Sequence, residues 1–519
     1  MLFLRRIANA AAKRFLPLWW PLYRTQAAPQ SRALPPDPSC RLGQIIGAEK
    51  ERNRELSGFM VFDQGGDSLK ARLSLIHSTE KTLDLQYYAV NNDITSNLLI
   101  ESVIRAARRG VRVRFLLDDL SVGKVYKSLM FLDSLPDIEV RIFNPIITTK
   151  DQSFVSRLLV FIINRARATK RMHNKAIIAD NHFCISGGRN LGDEYFDSHR
   201  DMAFKDIDAL AAGPVTEKVS ESFDAFWNSA DAHPIRRLYG KFHKKRYAAR
   251  LEKQLKDNWD GARGTQDGKY LEMDFQDFLG YSGRRLVWAK GDYVSDTPDK
   301  VQTENSNNPS GPLLAIKPLV AQSKREFIAI SPYFVPYGPE LEWLTDLEHH
   351  GIHVKVLTNS LASTDVVAVH TGYAPHRADI IRSGISLYEL KPANNRRTKQ
   401  RLFGRGAPSH ASLHAKVYIA DQAVSMVGSL NFDPRSSRLN TEGAFIIESE
   451  EIARQLHRLF EIAISPEISY RVEEDKRGKI FLRTVEQGKE KIYYGEPDCS
   501  LWRKIQFRLF SLLPVKDQL

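Results

Sequence analysis

The chain has 519 residues, a formal net charge of +13, 42% hydrophobic and 26% charged residues. This apolar content excludes a disordered polyelectrolyte and supports sizeable cores, and three cysteines (Cys40, Cys184, Cys499) exclude a disulfide framework. The basic balance calls for an anionic partner, nucleic acid or acidic lipid alike, and charge alone does not choose between them.

Residues 1–58 read as a basic amphipathic segment followed by a Pro-rich linker. Leu4, Ile7, Ala8, Ala11 and Phe15 share one helical face, Arg5, Arg6 and Lys13 lie elsewhere, and Leu16-Pro17-Leu18-Trp19-Trp20-Pro21 follows. Tryptophan beside a basic amphipathic helix suits the lipid interface. Charges and prolines interrupt any run approaching the ~20 apolar residues of a membrane span. The stretch is also short and Pro/Trp-laden for a cleaved signal peptide.

From residue 59 to 260 the pattern alternates. Leu85–Val90 reads as a strand, Leu98–Arg109 as a helix, and Gly110–Leu116 as a second strand. His173-Asn174-Lys175 follows, with Asp180, Gly187 and Asn190 behind it. After a polar connector over 261–311, the same order returns in 312–470. Gly351–Leu357 matches Gly110–Leu116, and His414-Ala415-Lys416, Asp421, Gly428 and Asn431 match the first motif, all 241 residues on. One His-x-Lys is uninformative; two with matching Asp, Gly and Asn mark an internal duplication. The expectation is an α/β fold of two domains related by a pseudo-two-fold axis and sharing one site. Residues 471–519 form an extension in which Leu501, Ile505, Leu509, Leu512 and Leu513 stripe one helical face beside Arg503, Lys504 and Arg508. This helix reads either as docked on the core or as interfacial.

Each motif reads as a strand (175–179 and 416–420), a turn at Asp180-Asn181 or Asp421-Gln422, and a returning strand. Alternation puts His and Lys on one face, and the Gly-containing turn after the return strand brings Asn190 or Asn431 beside them. Two His, two Lys and two Asn around one pocket suit phosphoryl transfer. A histidine in this role needs its other ring nitrogen fixed, usually by a carboxylate. Glu442 lies 28 residues after His414, and Asp201 stands at the same spacing after His173; Asp206 and Asp208 are weaker alternatives. Asp180 and Asp421 belong to the motif but read as turn-tying residues. No His-Glu-x-x-His, Cys-x-x-Cys or glycine-rich nucleotide loop occurs, so neither metal nor cofactor is expected.

These motifs, with Arg171-Met172-His173-Asn174-Lys175, Gly187–Phe196, Thr358–Asp365 and Ser412–Lys416, resemble the phospholipase D superfamily, and within it the C-type branch of bacterial cardiolipin synthases. The resemblance spans roughly Phe59 to Tyr470. It implies two α/β domains around one site, a phosphohistidine on one histidine, and acid/base action by the other. By resemblance His173 is the nucleophile and His414 the acid/base; the residues themselves are symmetric and support the reverse equally. Lys175, Lys416, Asn190, Asn431 and Ser429 would hold phosphoryl oxygens. Gly188 departs from the pattern where the second copy has Ser429.

The expected reaction is transfer between phospholipids to give cardiolipin from phosphatidylglycerol, the alternative being hydrolysis to phosphatidic acid or a related nuclease activity. An inactive membrane scaffold is disfavoured by two intact motifs. Single-motif nucleases of the superfamily must dimerise, so a fused chain argues against nucleic acid. Basic residues before each motif (Arg165, Arg167, Lys170, Arg171; Arg396, Arg397, Lys399, Arg401, Arg405) would rim the site. The expected partners are therefore an anionic phospholipid membrane and lipid substrates, with no obligate protein partner. The expected location is peripheral, on the cytoplasmic face of the inner membrane.

Overall fold

The computed structural model describes residues 28–145, 169–198, 202–265, 268–302, 310–336, 338–392 and 410–511. The amphipathic residues 4–21, Asp201, and the basic residues Arg165, Arg167, Arg396, Arg397, Lys399, Arg401 and Arg405 lie outside them.

In the first half β1 (Ser57–Phe62), β2 (Thr82–Tyr87), β3 (Arg112–Asp118), β4 (Ile138–Phe143), β5 (Ala176–Ala179), β6 (Phe183–Gly187), β7 (Met202–Lys205), β8 (Asp208–Ala212) and β9 (Ala232–Pro234) follow in sequence. Across the sheet the order is β1-β8-β6-β5-β2-β3-β4-β9, with β2, β3 and β4 parallel and the rest antiparallel. Helices Ile94–Arg108 and Asp119–Leu132 make the crossovers that parallel neighbours require.

The second half repeats this plan with β10 (Val287–Ser295), β11 (Glu326–Ile330), β12 (His353–Asn359), β13 (Ser386–Leu390), β14 (His410–Leu413), β15 (Val417–Ala420), β16 (Val424–Gly428), β17 (Gly443–Glu448) and β18 (Ser469–Glu474). The order is β10-β17-β16-β15-β11-β12-β13-β18, and β19 (Ile480–Glu486) and β20 (Lys489–Tyr493) extend its edge. The stretch 261–311 is more than a connector. Within it β10 pairs first with β1 (Ala289 opposite Ser57) and then with β17 (Lys290 opposite Glu448), passing from one sheet into the other.

Strand alternation divides the side chains between cores. Ile177 and Ala179 of β5 face the helices of the first half, whereas Ala176 and Ile178 face inward. Val417 and Ile419 of β15 face the same inner core, and Tyr418 points outward to the helices of the second half. The inner core draws Phe59 and Ile178 from one half and Ile328 and Phe445 from the other, the Phe59 and Phe445 rings meeting edge-on at 5.9 Å. Each such side chain contributes roughly 1.5–3 kcal/mol by burial. The halves are welded by a common core, and this fixes the seam on which the motifs lie.

Candidate active site

Each His-x-Lys tripeptide lies just ahead of its strand, at the seam. Two parallel pairings cross there: β14 with β7, Leu413 opposite Lys205, and an isolated bridge between Met172 and Thr441. As a result the His173 amide donates to the Thr441 carbonyl (2.9 Å) and the His414 amide to the Lys205 carbonyl (2.8 Å). Each histidine is tethered to the residue that precedes a carboxylate of the opposite half.

Those carboxylates reach the rings. His173 Nδ1 lies 2.8 Å from Glu442 Oε2, and His414 Nδ1 lies 2.6 Å from Asp206 Oδ2, all four residues being buried. The pairing is crossed: Glu442 serves the histidine of the first half, not that of its own. The residue at His414 is Asp206, the position the sequence ranked below Asp201. Glu442 follows His414 by 28 residues, but Asp206 follows His173 by 33, because the stretch between the motif asparagine and the carboxylate is five residues longer in the first half (190 to 206 against 431 to 442). A constant spacing therefore does not lead to Asp206.

An ionised carboxylate only accepts hydrogen bonds, so each ring carries its proton on Nδ1 and presents the Nε2 lone pair. Burial pushes both carboxyls up, but the facing histidine and the site lysines outweigh it and hold Glu442 and Asp206 below the usual range. Burial and the nearby lysines lower His173 to about 4 and lower His414 as well. Both imidazoles are neutral near pH 7.

Burial also lowers Lys175 to about 7 and Lys416 to about 8. Each ammonium donates to the carbonyl of its own histidine, Lys175 at 2.6 Å. A pH prediction follows from the signs. A lysine must be charged to hold an anionic phosphate, and that charge is lost as pH rises through about 7 to about 8. His173, at about 4, stays neutral throughout this window. In kcat/KM, which reports the free enzyme, activity is expected to fall on the alkaline side over this range, and Lys175→Arg is expected to move the fall upward. A profile flat to pH 9 in wild type would contradict the lysine role.

Ser429 Oγ donates to Glu442 and accepts from the Gly443 amide. The corresponding Gly188 has no room for a side chain, since a Cβ there would collide with the Asp206 carboxylate. The shorter acid is drawn close to the backbone and needs no serine. Gly188→Ser is expected to displace Asp206 from His414 and cut kcat by roughly tenfold or more while circular dichroism stays native, the loss of one hydrogen bond to a charged group being worth ~1.5–3 kcal/mol.

The remaining motif residues separate in space. Asp180 accepts the amides of Glu80, Lys81 and Thr82, and Asp421 those of Lys324, Arg325 and Glu326, all at 2.6–2.9 Å. Both sit at positive φ in the turn at the far end of β5 or β15 from the histidine. They tie the hairpin to the start of β2 or β11 and stay out of the pocket. Asn190 accepts from the Ala89 amide and donates to Tyr195 Oη (3.0 Å), whose ring packs against His414 at 5.4 Å. Asn431 Oδ1 is buried without a hydrogen-bond partner among the described residues. Tyr88 packs on His173 at 5.1 Å, with the Lys175 ammonium 5.4 Å from the Tyr88 ring.

Sequence reasoning missed the residues that seat the tripeptides. Asp118 Oδ2 accepts the Met172 amide, and Asn359 Oδ1 the Leu413 amide, both at 2.9 Å. They stand 241 residues apart, so the duplication itself was the signal. Asp296, within the polar connector, accepts the Glu442 amide at 2.9 Å and thereby anchors the carboxylate of His173. Among the described residues no group of three or more His, Cys, Asp or Glu could hold a metal ion.

Two mixed α/β halves about a pseudo-dyad, each supplying His-x-Lys to one seam, make a phospholipase D-like protein. The family model described as "Cardiolipin synthase, PLD-like domain" matches residues 73–227 and again 316–463. Cardiolipin synthase C of Escherichia coli (strain K12) is 36% identical over 464 residues, 88% of this chain and 95% of that one. A cardiolipin synthase of Oceanobacillus iheyensis is 24% identical, over 77% of this chain and 67% of its own. The chain belongs to the cardiolipin synthase family of the phospholipase D superfamily, a family of phosphatidyltransferases. The crystal structure of a phosphatidylserine synthase from Haemophilus influenzae shares the fold, with a TM-score of 0.55 at 12% identity over 92% of this chain and all of that one.

Proposed function

We propose that this enzyme transfers a phosphatidyl group between two phosphatidylglycerol molecules, or from a second phospholipid, to give cardiolipin through a phosphohistidine. The crossed pairs His173–Glu442 and His414–Asp206 carry this reading, because they give two oriented neutral imidazoles from opposite halves at one seam. His173 Nε2 attacks phosphorus while the P–O bond to the departing alcohol breaks. The bound negative phosphodiester raises the proton affinity of His414, whose Nε2 takes up a proton from solvent and delivers it to the leaving oxygen. His414 then takes the proton of the incoming alcohol, whose oxygen displaces His173 from phosphorus. Lys175 and Lys416 hold the phosphoryl oxygens, and no metal or cofactor enters the scheme.

The reading includes a peripheral position on an anionic membrane, at the cytoplasmic face. Among the described residues no helix is long and apolar enough to cross a bilayer. The helix Leu501–Ser511 docks through Arg503, which donates to the Leu361 carbonyl (2.6 Å), and through Phe507, whose ring meets His370 at 5.9 Å. Its other side exposes Leu501 (76%), Trp502 (64%) and Leu509 (57%) beside Lys504 and Arg508. An apolar stripe edged by cations suits an acidic lipid surface. All three cysteines are free, which fits a reducing compartment.

Purified enzyme on phosphatidylglycerol liposomes, with products resolved by mass spectrometry, tests the proposal. Cardiolipin is expected as the main product and phosphatidic acid as a minor one. Phosphatidic acid alone, at every lipid ratio, would make the enzyme a hydrolase.

A further inference from the structure

Each half of the site carries a tyrosine close behind its first parallel strand, and the two have different partners. Tyr88 stands two residues before the bridging Val90 and Tyr333 one residue before the bridging Phe334, so the two follow β2 and β11 one position out of register. The Tyr88 hydroxyl has no hydrogen-bond partner among the described residues, and its ring lies against His173. The Tyr333 hydroxyl instead donates to Asp365 Oδ2 at 2.8 Å. In the first half β3 runs straight from Asp118 into the helix Asp119–Leu132 and offers no counterpart to this carboxylate.

The other Asp365 oxygen, Oδ1, is buried without a hydrogen-bond partner among the described residues. Asp365 ends the loop that begins at Asn359, whose Oδ1 holds the Leu413 amide next to His414, and this puts it at the His414 end of the site, where its charge is felt by His414 and Lys416. Its loop is tied at both ends by hydrogen bonds. The loop from Asn359 to Asp365 is held by Ser363 Oγ, which lies 3.0 Å from Asn359 Oδ1 and 2.8 Å from the Leu390 carbonyl. Asn359 at its start seats Leu413, the residue before His414. Arg503 of the C-terminal helix clamps the Leu361 and Thr364 carbonyls near its end.

An unpaired carboxylate oxygen beside a phosphate-handling site repels phosphoryl oxygens and accepts only from a donor. At the His414 end, where the alcohol leaves and enters, the donor that fits is a second hydroxyl on that alcohol. We propose that Asp365, steadied by Tyr333, is a specificity-determining residue that accepts a hydrogen bond from a neighbouring hydroxyl of a polyol headgroup, selecting polyols over monohydric alcohols. The proposal rests on the transfer reading above and on His414 acting at the alcohol oxygen.

The test is a competition with the full-length enzyme on phosphatidylglycerol vesicles, offering deuterated glycerol and 1-propanol together. Mass spectrometry reads the ratio of deuterated phosphatidylglycerol to phosphatidylpropanol. Asp365→Asn keeps the shape, but Tyr333 engages the amide oxygen, so the amide nitrogen replaces the acceptor with a donor. The glycerol-to-propanol ratio is expected to fall roughly tenfold or more, as for loss of a hydrogen bond to a charged acceptor, while phosphatidylpropanol still forms. Tyr333→Phe, which frees the carboxylate from its fixed orientation, is expected to lower the ratio less, and it serves as the test if Asp365→Asn does not fold. A ratio unchanged in the folded variants, with total turnover falling equally for both alcohols, overturns the proposal and leaves transfer intact. Wild-type enzyme that yields only phosphatidic acid overturns the transfer reading and this proposal with it.

Discussion

His173→Ala is expected to lower kcat on the order of 10⁶-fold, as removal of the nucleophile does in other catalytic units. His414→Ala is expected to cost at least the ~10²–10⁴ attributable to general acid–base catalysis. The double variant should then fall no more than a few-fold below His173→Ala, because in the proposed mechanism the two rings act on one phosphodiester and their losses do not add. Both rings are buried beside carboxylates, so each substitution leaves Glu442 or Asp206 without its facing partner. Folding must be checked by circular dichroism and by a cooperative thermal transition. Steady-state turnover on mixed liposomes reads the effect. Substantial activity in either single variant would contradict a shared site, since two independent sites would each keep about half.

Glu442→Gln and Asp206→Asn are expected to be the next most damaging changes, each by ~10²–10⁴ in kcat, the scale seen when an amide replaces the acid that orients a catalytic histidine. An amide matches the shape but cannot balance the positive charge that develops on the ring. It can also turn its nitrogen to Nδ1 and favour the wrong tautomer. The crossed geometry makes a sharper statement about coupling. Asp206→Asn should lose most of its effect in the His414→Ala background and keep it beside Glu442→Gln. The opposite pattern, Asp206 coupled to His173, would mean that the carboxylates serve their own halves.

The duplication and the alternating strands were legible because both are local and periodic. His173, Lys175, His414 and Lys416 fall at one spacing, and β5, β6, β15 and β16 appear where the apolar runs do. Asp180 and Asp421 were legible as turn residues, since a short acid at positive φ is a local signature. The crossed carboxylates were not. Their partners are set by the β7–β14 pairing and the Met172–Thr441 bridge, which join residues more than 200 apart in the chain and leave no local pattern. Asp206 was further hidden by the longer run of residues after Asn190, and Asp296 by lying in a polar stretch that reads as linker. The C-terminal helix showed its stripe in sequence. The division of its faces between Arg503 and Phe507 on one side and Leu501, Trp502 and Leu509 on the other depends on what the second half presents to it.

Trapping the covalent intermediate tests the central claim most directly. Enzyme mixed with phosphorus-labelled phosphatidylglycerol, quenched within the first turnover under alkaline conditions that preserve phosphohistidine, is digested and its peptides are mapped. Label is expected on His173, absent from His173→Ala, and longer-lived in His414→Ala if any forms, because the base that activates the incoming alcohol is missing. Label on His414, or turnover by wild-type enzyme with no labelled histidine at any quench time, would contradict the assignment of His173 as the nucleophile of a site built from both halves.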